Sequence, residues 1–229
     1  MRRLALAFVV LPFALAACSG SAKQAEHLLT PTASVQQAAT KTSATSVHVA
    51  LSASGSKGMF SGSVTGSGDF DNANHRGSFH LDVSSLGSID AVVDGSSAYV
   101  KASFLARFLP AGKTWLKLNA RRSTFRVVPQ NPQQALARLK KLADVHVVGD
   151  ETIDGVETTH YQGTARHGAG TLDVWIGKSD GYVRRIQAAG KNGNGVVDFS
   201  NFGETVTVTV PPASDTVDGT HLIPYLRRG

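Results

Sequence analysis

From Ser34 to about Thr42 the apolar positions recur at helical spacing. Val35, Ala38, Ala39 and Thr42 share one face, and Ser34 with Gln37 makes a capping-box pattern, so a helix is predicted over 34–42. From Val47 onward the period becomes two. Val47, Val49, Leu51 and Ala53 alternate with His48, Ala50, Ser52 and Ser54. Phe60, Val64 and Phe70 share a phase, with Gly62, Gly66 and Gly68 between them. Phe79, Leu81 and Val83 alternate with His80 and Asp82, and Ile89, Ala91 and Val93 alternate with Asp90 and Val92. One apolar and one polar phase per segment marks half-buried antiparallel strands. Asp94-Gly95 turns the chain into a strand over 97–101. Phe104, Leu105, Phe108 and Leu109 then break the alternation with helical spacing, and Pro110-Ala111-Gly112 stops them. Strand character returns at 114–118. Asn131 can cap a second helix with Pro132 at its first position, running to about residue 142 with Ala135, Leu136, Leu139 and Leu142 on its apolar face. A second β run follows. Residues 145–151 meet 158–164 across Asp154-Gly155, and 171–176 meet 182–188 across Asp180-Gly181. Residues 196–202 and the alternating Val206, Val208 and Val210 close the series before Pro211-Pro212. The stretch from there to Gly229 has no period and reads as a loose tail.

These segments make about ten or eleven strands and two or three short helices. The predicted fold is mainly β (α+β): a curved antiparallel sheet in largely sequential meander order, one wet face, and two amphipathic helices over part of the other. No period of 20–50 residues points to a propeller or solenoid. Composition agrees. Charged residues are only 17% of the 229 and glycines number 23, which excludes a coiled coil or a charge-driven disordered chain and suits short strands with Gly-rich turns.

The N-terminus carries an address. Arg2 and Arg3 precede an uncharged run from Leu4 to Ala17, too short to span a bilayer and of the length of a secretory signal. Leu15-Ala16-Ala17-Cys18 resembles the bacterial lipobox, in which diacylglycerol is added to the cysteine sulfur before cleavage. Cys18 is the only cysteine in the chain. A single cysteine excludes a disulfide framework and a thiolate-rich metal site. The expected organisation is a lipoprotein signal peptide over 1–17, a flexible tether over 18–33, a folded domain over 34–210 and a C-terminal tail over 211–229. Two or three acyl chains, at about 0.8 kcal/mol per buried CH₂, would hold the mature chain on the outer face of the cytoplasmic membrane. Losing Arg2 and Arg3 takes the net charge from +6 to +4.

Catalytic chemistry is weakly represented. Gly177-Lys178-Ser179-Asp180-Gly181 matches G-x-S-x-G as a string, but strand residues follow it where a nucleophile elbow needs a helix. Ser54-Gly55-Ser56-Lys57 matches S-x-x-K only in a Gly/Ser loop. His80 and Asp82 share a strand face that is more simply solvated than metal-binding, and no phosphate-binding glycine motif occurs. No enzyme activity, metal or cofactor is therefore expected. Charge is less ordinary. Residues 95–143 contain ten Lys and Arg and no Asp or Glu, interleaved with Phe104, Leu105, Phe108, Leu109 and Trp115. Beside a lipid anchor, that mixture suits anionic headgroups rather than nucleic acid. Arg107, Arg121, Arg122 and Arg126 are the candidate headgroup contacts.

A curved sheet whose apolar face is only partly covered could bury acyl chains, at roughly 25 cal/mol per Å² removed from water. From strand phase and helix face, the residues placed to line such a cavity are Val47, Val49, Leu51, Phe60, Val64, Phe79, Leu81, Phe104, Phe108, Leu136 and Leu139. The lipobox at Cys18, the capped helix before Ser46-Val47-His48-Val49 and the Asp-Gly hairpins together resemble a known group. So do Val174-Trp175-Ile176 before Tyr182-Val183-Arg184-Arg185-Ile186, and Asn201-Phe202-Gly203-Glu204-Thr205-Val206-Thr207-Val208 before Pro211-Pro212. The chain is similar over most of 34–212 to the actinobacterial LppX/LprAFG lipoproteins, and more distantly to LolA-type carriers. The resemblance implies a half-barrel sheet with helices across its mouth, a cavity for an acylated lipid or glycolipid, and transport or presentation in the envelope, with an envelope transporter as a candidate partner. The alternative expectation is an envelope protein-interaction or stress-sensing module with a filled core and no lipid ligand.

Overall fold

In the computed structural model the described residues are 29–55, 62–120, 132–165, 170–190 and 193–219. The first helix, α1, runs Pro31–Ser43, three residues earlier than its apolar stripe indicates. Thr30, not Ser34, is the cap: its hydroxyl accepts the Ala33 N–H at 3.3 Å, and Pro31 opens the helix. Proline at the first position has the helical φ built in and lacks only an N–H that would be unpaired anyway. Residues 31–33 therefore belong to the helix rather than to the tether. Val35, Ala38, Ala39 and Thr42 are its buried face, as the spacing predicts.

Six strands follow: β1 (Ser46–Gly55), β2 (Gly62–Asp71), β3 (Arg76–Val83), β4 (Gly87–Asp94), β5 (Ser97–Ala102) and, after a 3₁₀ helix at Ser103–Phe108, β6 (Trp115–Asn119). Helix α2 (Pro132–Leu139) precedes β7 (Ala143–Ile153), β8 (Val156–Thr164), β9 (Thr171–Gly177), β10 (Val183–Gly190) and β11 (Gly193–Ser200). A short β12 (Thr216–Asp218) comes last. All twelve form one open, curved sheet in the order β12-β6-β5-β4-β3-β2-β1-β11-β10-β9-β8-β7. The expected meander is thus two meanders, joined where β1 pairs antiparallel with β11 from His48↔Ser200 to Gly55↔Gly193. The Asp154-Gly155 hairpin turns with positive φ at both residues, 49° and 80°, a conformation Asp and Gly tolerate.

Two expectations at the C-terminal end are corrected. Val206, Val208 and Val210 alternate but join no ladder. The start of the supposed tail joins the sheet instead: β12 lies parallel to β6, Thr216 opposite Trp115, and Thr114 donates to the Asp215 carbonyl at 2.9 Å.

The register sorts the strand ends onto two rims. On one, Gly55 meets Gly62 and Gly193, Val83 meets Gly87, Ile89 meets Ala102, and Ala143 meets Thr164, itself opposite Thr171. The other carries the turns at 72–75, 95–96, 154–155 and 178–180. Helix α1 runs between the rims. Near its C-terminus the Lys41 ammonium donates to the Asp180 carbonyl at 2.5 Å and the Thr42 hydroxyl accepts the Val183 N–H at 3.0 Å. A 13-residue helix is about 20 Å long, so its N-terminus points to the rim that holds Ala143.

β2 and β3 approach each other closely at two glycines. Gly66 stands opposite Leu81 and Gly68 opposite Phe79. A Cβ on Gly68 would sit 2.5 Å from Phe79 Cδ2 and overlap the Ser78 carbonyl oxygen; one on Gly66 would sit 2.7 Å from Leu81 Cδ2. At these two glycines the larger side chains of the neighbouring strand fold over bare backbone.

Candidate functional site

The apolar phases of both meanders and the buried faces of the helices meet in one cluster. From the first meander come Val47, Val49, Val64, Phe70, Phe79, Leu81, Ile89, Val100, Leu116 and Leu118. The second meander adds Val174, Ile176, Val183, Ile186 and Phe199, and α2 adds Leu136 and Leu139. Leu81, Ile89, Leu105 and Leu136 are fully buried. Helix α1 packs on α2, β7, β1, β9 and β10, and the side-chain amide of Gln133 in α2 donates to the Asn72 carbonyl in the β2–β3 turn at 3.4 Å. The side-chain amide of Gln36 ties α1 to the Lys140 carbonyl beyond the end of α2, at 3.2 Å.

Of the residues placed from strand phase and helix face, Val47, Val49, Val64, Phe79, Leu81, Leu136 and Leu139 belong to this cluster. Leu51 and Phe104 are half-buried against it. Phe60 lies outside the described residues, as do Cys18, Asn131, Arg121, Arg122 and Arg126. In the 3₁₀ helix the inward residue is Leu105; Phe108 is 45% exposed and the Arg107 guanidinium lies 4.7 Å from its ring centre. A 3₁₀ helix turns every three residues, so the i, i+4 reading of Phe104 and Phe108 as one face does not hold there. The inward residues of β9–β11 were missing from the sequence-based set, although they sit on the apolar phase of strands the pattern had located.

The convex face carries polar chemistry with an evident structural use. His160 is buried, stacked on Trp175 at 4.2 Å, with Nδ1 on Glu151 and Nε2 on Asp173, both at 2.9 Å. The Trp175 indole N–H donates to the other Glu151 oxygen at 2.9 Å. Hydrogen bonds from Trp175 and then His160 hold the Glu151 carboxyl below the usual glutamate range. Arg185 pairs with Asp198 at 2.5 Å on the neighbouring strands. A cleft of about 280 Å³ lies between the convex sides of β1 and β2 and the chain at 201–207, beside the 2.7 Å His48–Asp69 pair; its lining is mostly polar and offers nothing to an acyl chain. The G-x-S-x-G string forms the β9–β10 turn, with strand on both sides.

His80 and Asp82 also lie on this face, and here a pH effect is expected. His80 Nδ1 is 2.6 Å from Asp90 and Nε2 is 3.5 Å from Asp82. The Asp90 hydrogen bond raises His80 above its ordinary value, so the fold favours the charged ring. The stabilisation is complete below the unfolded value of about 6.5 and is lost as pH rises through the higher folded one. For a pair this exposed it amounts to about 0.2–1 kcal/mol. Asp90→Asn should therefore destabilise at pH 5.5 but hardly at pH 8.5, read from urea midpoints; equal losses at both would refute the coupling.

An open curved antiparallel sheet with its apolar core on one face beneath short helices is the class of structure this chain forms. The same fold appears in LprF from Mycobacterium bovis (TM-score 0.56, 17% identity, covering 80% of this chain and 97% of that one). It appears also in LppX from Mycobacterium tuberculosis (TM-score 0.56, 23% identity, 78% and 98%). The model of the LppX_LprAFG lipoprotein family matches residues 30–208, and the chain belongs to that family. A chain named as a lipoprotein in Streptomyces coelicolor is 34% identical over 97 residues, a stretch covering 40% of this chain and 34% of that protein's length.

Proposed function

We propose that this protein is an exported, lipid-anchored carrier that holds the acyl chains of a lipid or glycolipid against the concave apolar face and carries or presents it in the cell envelope. The observation that carries the reading is the cover on that face. Two short helices help to cover the apolar face of the twelve-stranded sheet, and one of them, α2, is just eight residues long. An isolated helix of that length is not stable in water. It is held by Leu136 and Leu139, so the roof can part from the sheet at the cost of a few side-chain contacts. Family membership supports the same reading. The driving force is apolar burial, and nothing in the proposal requires bond chemistry.

The test is native mass spectrometry of the mature chain from residue 18 carrying Cys18→Ser, produced in a bacterium that makes envelope glycolipids. The cut lies before the first described residue, Leu29, and removes none of the described residues. A co-purifying mass of lipid size, lost on denaturation and recovered in solvent, is expected. A bare polypeptide from several hosts that takes up no added lipid would overturn the carrier reading and favour an interaction module.

Phe104 and Phe108 are proposed to stand at the cavity entrance. Because Phe108 is largely exposed, Phe108→Glu should leave stability within about 0.5 kcal/mol while lowering lipid retention several-fold. Unchanged retention would remove Phe108 from the entrance.

A further inference from the structure

The rim of the sheet that holds Ala143 combines three features. The first is the tether. Leu29 precedes the N-cap of α1, whose N-terminus points to this rim, so the described chain begins here, eleven residues after Cys18. The second is exposed apolar surface. Among the described residues five large hydrophobic side chains are strongly exposed, and four belong to this side of the molecule. Leu29 is 52% exposed, and Phe108 at 45% lies in the 3₁₀ helix that leaves the rim end of β5. Val147 and Val148, at 51% each, stand at the middle of β7, where a register shift between Val147 and Gly149 turns two successive valines outward. β7 is an edge strand, so no further strand covers them. The third is charge. Arg107 flanks Phe108, while Arg138, Lys140 and Lys141 precede β7 and are all exposed. Asp144 is the acidic residue beside them. The opposite rim, with its turns at 72–75, 95–96, 154–155 and 178–180, carries none of the five exposed hydrophobics.

We infer that this rim docks on an anionic lipid leaflet, with Phe108, Leu29, Val147 and Val148 entering the headgroup region and Arg107, Lys140 and Lys141 meeting lipid phosphates. The occupant follows from the tether. From Cys18 to Leu29 is eleven residues, a reach of at most about 40 Å for any chain of that length. The domain cannot leave the surface far behind, and the rim nearest the tether is the one with matching chemistry. Cations near a charged leaflet attract it, and apolar side chains among them deepen the contact. Docking orients the curved sheet with this rim toward the bilayer and the polar turns of the other rim away from it. The inference rests on the reading of the chain as a lipid-anchored protein but not on the presence of a bound lipid.

The test uses the mature chain carrying Cys18→Ser, which has no other cysteine. Its partition is measured onto vesicles of equal parts phosphatidylglycerol and phosphatidylcholine, and onto phosphatidylcholine alone. Binding only to the anionic vesicles, weakened by salt, is expected. Lys140→Glu with Lys141→Glu should weaken it at least about tenfold, and Val147→Ser with Val148→Ser should weaken it without altering the salt dependence. Orientation is read separately. A polarity-sensitive dye on Ala106→Cys or Ala143→Cys, at the rim, should shift to the blue on vesicles, while the same dye on Ser96→Cys or Ser179→Cys should not. No binding to anionic vesicles, or equal shifts at both rims, would overturn the docking. A chain that docks but carries no lipid refutes the carrier reading alone; one that retains lipid but does not dock refutes this inference alone.

Discussion

Gly68→Val unfolds the domain under conditions in which the parent is stable. Gly68 stands opposite Phe79 in the β2–β3 ladder. Its missing Cβ leaves room for the Phe79 ring and for the Ser78 carbonyl oxygen. A methyl-sized group there meets backbone, which no rotamer change can move aside. Overpacking in a core costs about 1–3 kcal/mol when side chains can give way. A β-branched group against a strand backbone exceeds that, because β2 and β3 must separate and Phe79 and Leu81 lose their seats together. The expected loss is about 4 kcal/mol, a large share of the roughly 5–15 kcal/mol that holds a domain of this size. Gly149→Ala is the control. Nothing lies within 4 Å of a Cβ added there, and its φ is not positive. It should be neutral or gain up to about 1 kcal/mol from the stiffer unfolded chain. Urea midpoints of both variants decide the matter; a Gly68→Val loss below about 1 kcal/mol would show that the fold does not depend on the close approach.

That glycine pair illustrates what the sequence could and could not tell. The alternation in β1 to β4 and in β8 to β10 located the strands and their inward phase, because burying one face of a sheet imposes a period of two over eight or more residues. Glycines on that phase, such as Gly66 and Gly68, fit either space for a ligand or close packing. Only the register that sets Leu81 and Phe79 opposite them selects the second. Local rules also compete. Ser34 matches a capping pattern, yet Thr30-Pro31 upstream offers both a hydroxyl and a preset φ, so the helix starts there. Val206, Val208 and Val210 have the strand period without a partner, whereas Thr216–Asp218 gains one from β6, about a hundred residues earlier. Pairing of that separation leaves no mark on the shorter strand.

The candidate site was legible to a similar depth. Seven of the residues placed from phase and helix face fall in the apolar cluster, because the same periodicity that makes a strand also names its core side. Phe108 does not, since a 3₁₀ turn in place of an α turn redirects it and leaves Leu105 inside. Trp175 was legible as a strand residue but not as a buried one. Its cover comes from Glu151 and His160, 24 and 15 positions earlier, which only the β7–β8–β9 pairing brings to it. The basic window between residues 95 and 143 was visible as composition. The register shows that its members Arg107, Lys140 and Lys141, far apart in sequence, lie toward one rim.

Cys18→Ser, exported behind an ordinary cleavable leader, moves the protein from the membrane to the soluble fraction. Cys18 is the only site in the chain for thioether-linked diacylglycerol, and no helix among the described residues is long and apolar enough to cross a membrane. Each buried CH₂ contributes about 0.8 kcal/mol, so two acyl chains outweigh any peripheral contact by a wide margin. The rim contributes a handful of cations at roughly 1 kcal/mol each and a few apolar side chains, enough for reversible docking but not for retention through washing. The two contributions therefore separate by salt. In the parent, high-salt extraction leaves the protein in the membrane fraction. In the variant, any residual membrane fraction is small and comes off with salt. An N-terminal peptide beginning at residue 18 and carrying a lipid mass in the parent alone would confirm the attachment point. A variant that stays salt-resistant in the membrane with its leader removed would show that the anchor lies elsewhere in the chain. If anchor and rim act as assigned, the acyl chains set how long the protein stays on the membrane, and the rim sets which way the curved sheet faces while it is there.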